Sequence, residues 1–239
     1  MKVELLEQLV AAQRARMRVA VATDLADGAQ ALWTGTQAHG DAALFAEVRT
    51  ELEKALAQGT GGIIEAAGRR FFIELVSPSP RLMIIGAVHI AQALSVMAGL
   101  SGYDVTVIDP RASFATQARF PDIRVVVGWP DEVLGELGVD RQTAIVTLTH
   151  DAKIDDRALK AAVHSEAFYV GALGSRRTQA KRFERLRAAG VEESALARVH
   201  GPVGLNIGAL TPGEIAISIL AQMTATLRAA RVAAKERAA

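Results

Sequence analysis

The chain has 239 residues, half of them hydrophobic, so one large domain or two smaller ones can bury a substantial core. It contains no cysteine, which excludes disulfides, a thiolate nucleophile and cysteine-ligated zinc or iron–sulfur centres. Its 27 basic and 26 acidic side chains leave a formal net charge of +1, too little for a global field that draws a protein onto nucleic acid, so any anion site has to be local.

The opening MKVELLEQLVAAQRARMRVA alternates charged with apolar residues and lacks the unbroken apolar run of a signal peptide. No later stretch has the length and apolarity of a membrane span, and a cytoplasmic location is expected. Leu5, Leu6, Leu9 and Val10 stand at helical spacing within residues 3–14, and MRVAVAT reads as a short strand. AALFAEVRTELEKALAQG predicts a second helix ending at Gly59. GGIIEAAGRRFFIELVSP predicts a β-hairpin turning at Ala67 and Gly68. These elements define an expected small α+β N-terminal domain, residues 1–77.

SPSP at residues 77–80 interrupts the pattern, because two prolines within four residues forbid helix. Beyond it, apolar runs at 82–86, 103–109, 123–128, 143–149 and 167–173 alternate with amphipathic segments. Strands of this near-continuous apolar kind are buried on both faces, which predicts a doubly wound, Rossmann-like α/β domain over residues 81–239. The last helix should start at Thr211 as N-cap, with Pro212 at the first helical position and Glu214 closing a capping box. Its polar tail, from Arg228 on, is expected to fray.

LMIIGAVHIAQAL, residues 82–94, has the form of a nucleotide-binding strand, turn and helix. The three glycine places of such a turn are filled by Gly86, Val88 and Ala91. A pyrophosphate normally approaches backbone where the Val88 side chain stands. Asp109, at the end of the next strand, sits where a ribose-binding acid belongs. Three readings stay open: conventional NAD(P) binding, an anion site at the helix N-terminus formed by Gly86, Ala87, Val88, His89 and Ile90, and a purely structural turn in which Asp109 caps the next segment.

Strand ends of a parallel sheet converge on one crevice, so the residues after each strand are candidates. They are Arg111 after Asp109, then Thr149 and His150, then Gly174, Ser175 and Arg176. Gly174 brings backbone close, Ser175 caps a helix, and arginines at a helix N-terminus oppose its dipole, which calls for an anionic partner. For Lys181, Arg182 and Arg185 the expectation is a solvated basic helix face. Asp151 is expected either to pair with His150 or to cap the following helix. Asn206 lies in the glycine-rich run HGPVGLNIGAL, a candidate binding loop. The five histidines show no metal-ligand spacing.

LMIIGAVHIAQAL, VTVIDPRASFATQARFP, LTHDAKIDDRAL, YVGALGSRRTQAKRFERL and GPVGLNIGALTPGEIAISILAQ, in this order, resemble the successive motifs of the XdhC/CoxI family. The resemblance covers Leu82 to about Leu227. It implies a Rossmann-like domain in an accessory factor that binds molybdenum cofactor, in the molybdopterin or dinucleotide form, and assists its maturation and insertion into a molybdenum hydroxylase apoenzyme of the xanthine dehydrogenase or CO dehydrogenase type. On that view the protein is a chaperone rather than a catalyst, and its partners include that apoenzyme, with a second XdhC-like protein or a sulfurtransferase and a homodimeric state also expected. Two rival expectations are an NAD(P)-dependent oxidoreductase and a ligand-free assembly scaffold. Many members carry an N-terminal cysteine-containing motif, a glycine where Val88 stands and an aspartate where Asn206 stands; the missing cysteine speaks against a thiol-dependent step here.

Overall fold

The computed structural model describes residues 2–238, with side chains through residue 229. The chain forms two compact units, Met1–Pro78 with Arg228–Ala239, and Ser79–Leu227.

The first unit comprises α1 (Val3–Arg14), β1 (Val19–Asp24), β2 (Gln30–Trp33), β3 (Ala38–Gly40), α2 (Ala42–Gln58), β4 (Gly62–Ala66) and β5 (Arg69–Val76). The strands form an antiparallel sheet in the order β3-β2-β1-β5-β4. Side chains alternate across a strand, so Ala20, Ala22, Phe71 and Ile73 pack under Leu44, Val48 and Leu52 of α2, whereas Val19, Val21 and Leu32 meet Leu5 and Ala12 of α1. Asp41 caps α2 by accepting from the Leu44 amide at 3.0 Å. The hairpin turns at Ala67 (φ 50°) and Gly68 (φ 74°), two positive φ values in succession, as a tight turn between twisted strands needs. Strand β2 is buried at three successive positions, Ala31 to Trp33, and β3 has only three residues, so neither shows a period-2 pattern and no expectation covered them.

The second unit comprises β6 (Arg81–Ile85), α3 (His89–Leu100), β7 (Asp104–Asp109), a 3-10 turn (Gln117–Arg119), β8 (Arg124–Val127), α4 (Pro130–Leu137), β9 (Thr143–Thr147), α5 (Ala152–Val163), β10 (Tyr169–Ala172), α6 (Arg176–Ala188), α7 (Glu193–Leu196), β11 (Val199–His200) and α8 (Pro212–Ala238). The sheet is parallel throughout, in the order β11-β10-β9-β6-β7-β8. This is the doubly wound order of a Rossmann domain. Leu82, Ile84, Val107 and Val146 face α3 and α8, while Met83, Ile85, Ile108 and Ile145 face α4, α5 and α6. Both faces of the sheet are therefore dry, which explains its unbroken apolar strands. The capping box of α8 forms as the spacing requires: Glu214 accepts from the Leu210 and Thr211 amides at 2.8 and 2.9 Å. The polar tail from Arg228, expected to fray, continues the backbone of α8 to Ala238; its side chains beyond residue 229 lie outside the described set.

Candidate functional site

Strand β6 pairs with β9 on one side and β7 on the other, so the winding direction reverses between β6 and β9, the place beyond whose C-terminal strand ends this architecture puts its ligand crevice. The turn after β6 forms the floor. Gly86 has φ +109°, and a Cβ there would meet Thr149 Cγ2 at 2.5 Å, so only glycine lets the turn lie against the loop after β9. Ala87 is fully buried, and its amide donates to Asp109 Oδ2 at 2.8 Å.

Val88 is the N-cap position of α3 with φ −103°, ordinary extended backbone that does not call for glycine. Its half-buried side chain packs on the sheet-face core. No side chain caps α3, so its first-turn amides, which include those of His89 and Ile90, keep their donor capacity at the crevice. Helices α5 and α6 differ: Asp151 accepts from the Lys153 amide at 2.9 Å, and Ser175 accepts from the Thr178 amide at 3.2 Å.

The Asp109 carboxylate is completely buried and fully engaged. Besides Ala87 it accepts from the Arg111 amide at 2.9 Å, Arg111 Nε at 2.8 Å and Arg111 Nη2 at 2.7 Å. Burial by itself would raise its pKa, but these bonds and the adjacent guanidinium hold the carboxyl below the usual carboxylate range. Asp109 thus closes the turn to the loop after β7 and has no lone pair left for a ribose hydroxyl. Arg111 in turn feels the charges of Asp151 and Asp155 from the β9 side of the crevice.

Beneath the β9 loop runs a buried polar chain. Thr149 Oγ1 donates to Asp155 Oδ1 at 2.6 Å, Arg182 Nη2 reaches Asp155 Oδ2 at 3.1 Å and the Leu173 carbonyl at 2.9 Å, and Arg182 Nη1 donates to Gln179 Oε1 at 2.5 Å. Burial pushes the Asp155 carboxyl up to about 6, with the Thr149 bond and the Arg182 charge only partly offsetting it. Arg182 is 3% exposed, which corrects its assignment to a solvated face; Arg185 keeps that face and pairs with Asp156 at 2.5 Å. The helix register already carried the signal, because Gln179, Arg182 and Leu186 share the buried face of α6, and Asp155 lies with Ala158 and Ala162 on that of α5.

Of the residues singled out from sequence, Gly86, Ala87, Val88, Asp109, Arg111 and Thr149 meet in one contiguous arrangement. His89, His150, Ser175, Arg176, Arg177 and Asn206 are exposed. The side chains of Arg176 and Arg177 take no partner among the described residues. Gly174 precedes them with φ +138°. Asn206 belongs to a loop tied to α8 and β10: the Gly204 amide donates to Gln222 Oε1 at 2.8 Å, and the Val203 amide to the Ala172 carbonyl at 3.1 Å. No hydrogen bond joins Asn206 itself to the other crevice loops among the described residues.

Sequence reasoning missed Arg119, whose Nη1 donates to the Ala87 carbonyl at 2.7 Å and to the Phe114 carbonyl at 3.0 Å. Its 3-10 turn carries no periodic signal. No carboxylate pairs with Arg119 among the described residues, so its positive charge stands uncompensated beside the turn. Among the described residues no group of three His, Cys, Asp or Glu could hold a metal ion.

Residues 82–223 match the family model of the XdhC Rossmann domain. The chain is 35% identical over 157 residues to the Escherichia coli protein YqeB, 32% identical over 156 residues to a Bacillus subtilis protein named as a probable xanthine dehydrogenase component, and 31% identical over 146 residues to the E. coli molybdenum cofactor insertion chaperone PaoD. These matches cover 64%, 65% and 61% of this chain and only 28%, 45% and 40% of the relatives, so the chain spans less than half their length. A crystal structure titled a xanthine dehydrogenase from Bacillus halodurans superposes with a TM-score of 0.73 at 25% identity, covering 95% of this chain and 64% of that one.

Proposed function

Because the chain belongs to the XdhC Rossmann domain family, matched over residues 82–223, we propose that it binds molybdenum cofactor at the crevice between β6 and β9 and serves the maturation of a molybdenum hydroxylase. The observation that carries this reading is electrostatic. The carboxylates at the crevice loops are all committed: Asp109 to Ala87 and Arg111, Asp151 to the α5 N-terminus, Asp155 to Thr149 and Arg182. What faces outward is the uncapped start of α3 and the unpaired cations Arg176 and Arg177, while Arg119 holds a charge that no described carboxylate neutralises against the turn. A phosphate-bearing ligand fits that set of donors.

In this reading the amides of His89 and Ile90 and the guanidinium of Arg176 hold the phosphate, with Ser175 and Gly174 shaping the second anion-binding turn. His150 and Asn206 line the approach, and Thr149 supports the β9 loop from beneath through its bond to Asp155. The molybdopterin or dinucleotide cofactor is cargo, delivered to a hydroxylase apoenzyme of the xanthine dehydrogenase or CO dehydrogenase type. With no cysteine in these residues, a sulfur atom added during maturation comes from a partner such as a sulfurtransferase or a longer XdhC-like protein. We place the protein in the cytoplasm as a homodimer acting without catalysis of its own. PaoD, named a cofactor insertion chaperone, is the relative that supports this most directly.

NAD(P) binding is disfavoured by two features. The Val88 side chain stands where a pyrophosphate approaches backbone, and Arg111 occupies the carboxylate that would take a ribose hydroxyl. The test is to purify the protein from cells that make molybdenum cofactor, oxidise it, and assay released pterin by fluorescence and molybdenum by elemental analysis. Stoichiometric pterin is expected. Its absence, also after incubation with free cofactor, overturns the proposal in favour of a ligand-free scaffold.

A further inference from the structure

Phe114 is 41% exposed although it is a large apolar ring, whereas Ala115 and Phe120, which follow it in the same loop, are buried. It stands in the loop after β7, and two guanidinium groups lie over its ring, Arg111 at 4.4 Å and Arg119 at 5.7 Å from the centroid. Both arginines are fastened to the crevice floor. Arg111 grips Asp109, which holds the Ala87 amide, and Arg119 donates to the Ala87 carbonyl. The ring is therefore fixed to the N–H and the C=O of one residue in the turn that approaches the ligand.

Resting on the crevice reading above, we propose that Phe114, with Arg111 and Arg119, is a stacking ledge for the flat heterocycle of the phosphate-bearing ligand. An exposed aromatic ring stacks on any planar heterocycle, and guanidinium planes do the same while adding positive charge. The arginines serve two ends. Their bonds to Asp109 and Ala87 fix the ring at small entropic cost, because the loop is ordered before the ligand arrives. Arg119 also brings a charge that no described carboxylate neutralises, which suits a heterocycle carried by an anion. The engaged Asp109 explains why recognition at this strand end passes from a ribose hydroxyl to a ring face.

Two heterocycles satisfy this chemistry, the pterin itself and the base of a dinucleotide cofactor. The experiment titrates the full chain with pterin-6-carboxylate and, separately, with cytidine 5′-diphosphate, following pterin fluorescence and heat of binding. Phe114→Ala should weaken one probe by about 5- to 100-fold, the range of single base–aromatic stacks, while Phe114→Tyr keeps wild-type affinity. Loss confined to pterin-6-carboxylate assigns the pterin to the ledge, and loss confined to cytidine 5′-diphosphate assigns the base. Because the ring is partly exposed, Phe114→Ala should lower the melting temperature by only about 2–4 °C, the cost of the lost guanidinium–ring contact, and should stay folded at the titration temperature. If the wild type binds either probe and Phe114→Ala binds it equally well, the ledge is overturned. If neither probe binds wild type although pterin co-purifies with the protein, the ledge is overturned while the cofactor reading stands; absence of co-purified pterin overturns that reading.

Discussion

The amide of Ala87 and the carboxylate of Asp109, 22 residues apart in sequence, meet at 2.8 Å and join the turn after β6 to the end of β7. The contact converts the acid from a group that could receive a ligand into one that shapes the floor beneath it. Asp109→Asn should cost roughly 2–3 kcal/mol, since a buried charge-assisted bond is lost and donors of Ala87 and Arg111 face an amide that cannot accept them all. Chemical denaturation measures this. A loss below about 0.5 kcal/mol would sink the structural role.

Gly86→Ala places a Cβ within 2.5 Å of Thr149 Cγ2 at a φ of +109°. Backbone strain and overlap together should destabilise by roughly 2–4 kcal/mol. Thr149→Ser removes the overlapping methyl but not the strain. The double variant should therefore recover part of the loss, giving a coupling of about 0.5–3 kcal/mol in a double-mutant cycle. Strict additivity would contradict the contact.

Val88→Gly tests what excludes a dinucleotide. The half-buried side chain packs on the core, so its removal should cost about 1–2 kcal/mol. It also opens the space in which a pyrophosphate approaches backbone, so NADH or NADPH affinity, read by cofactor fluorescence, should rise in the variant. Affinity unchanged from wild type would mean that Val88 is not the barrier.

Asp155 and Asp109 respond to pH with opposite signs. Folding raises Asp155 to about 6, so the native state holds that proton more tightly than the unfolded chain. Its contribution to stability is present below about pH 4 and is lost as pH rises towards 6. Asp109 is depressed, so its contribution is present above the ordinary carboxylate value and is lost as pH falls through its lower folded value. Relative to Asp155→Asn, the wild type should lose unfolding free energy between pH 4 and 6. A flat difference over that range would be the contrary result. Arg182→Met should cost about 3–5 kcal/mol by leaving Asp155 without its buried counter-ion.

Arg176→Ala should leave the melting temperature unchanged, because the side chain is exposed and unpaired among the described residues. It should weaken cofactor binding roughly tenfold, equivalent to about 1.4 kcal/mol. Unchanged affinity would move the phosphate away from α6.

Much was legible in one dimension. Period and punctuation alone gave the helices over residues 3–14 and 42–58, the hairpin at Ala67 and Gly68 and the capping box at Thr211, because each is set by contacts between residues near in sequence, and the five apolar strands, because burial on both faces leaves an unbroken apolar run. Gly86, Asp109, Arg111 and Thr149 could be named as neighbours from the rule that parallel strands end on one edge. The tertiary structure alone decided what those groups do. Asp109 is consumed by Ala87 and Arg111, Arg182 turns inward to Asp155, and Arg119 reaches the turn across 32 residues. A side chain's chemistry depends on which partner shares its space and how much water remains. Sequence records residue type and spacing, whereas burial and long-range partnership exist only once the chain has closed on itself.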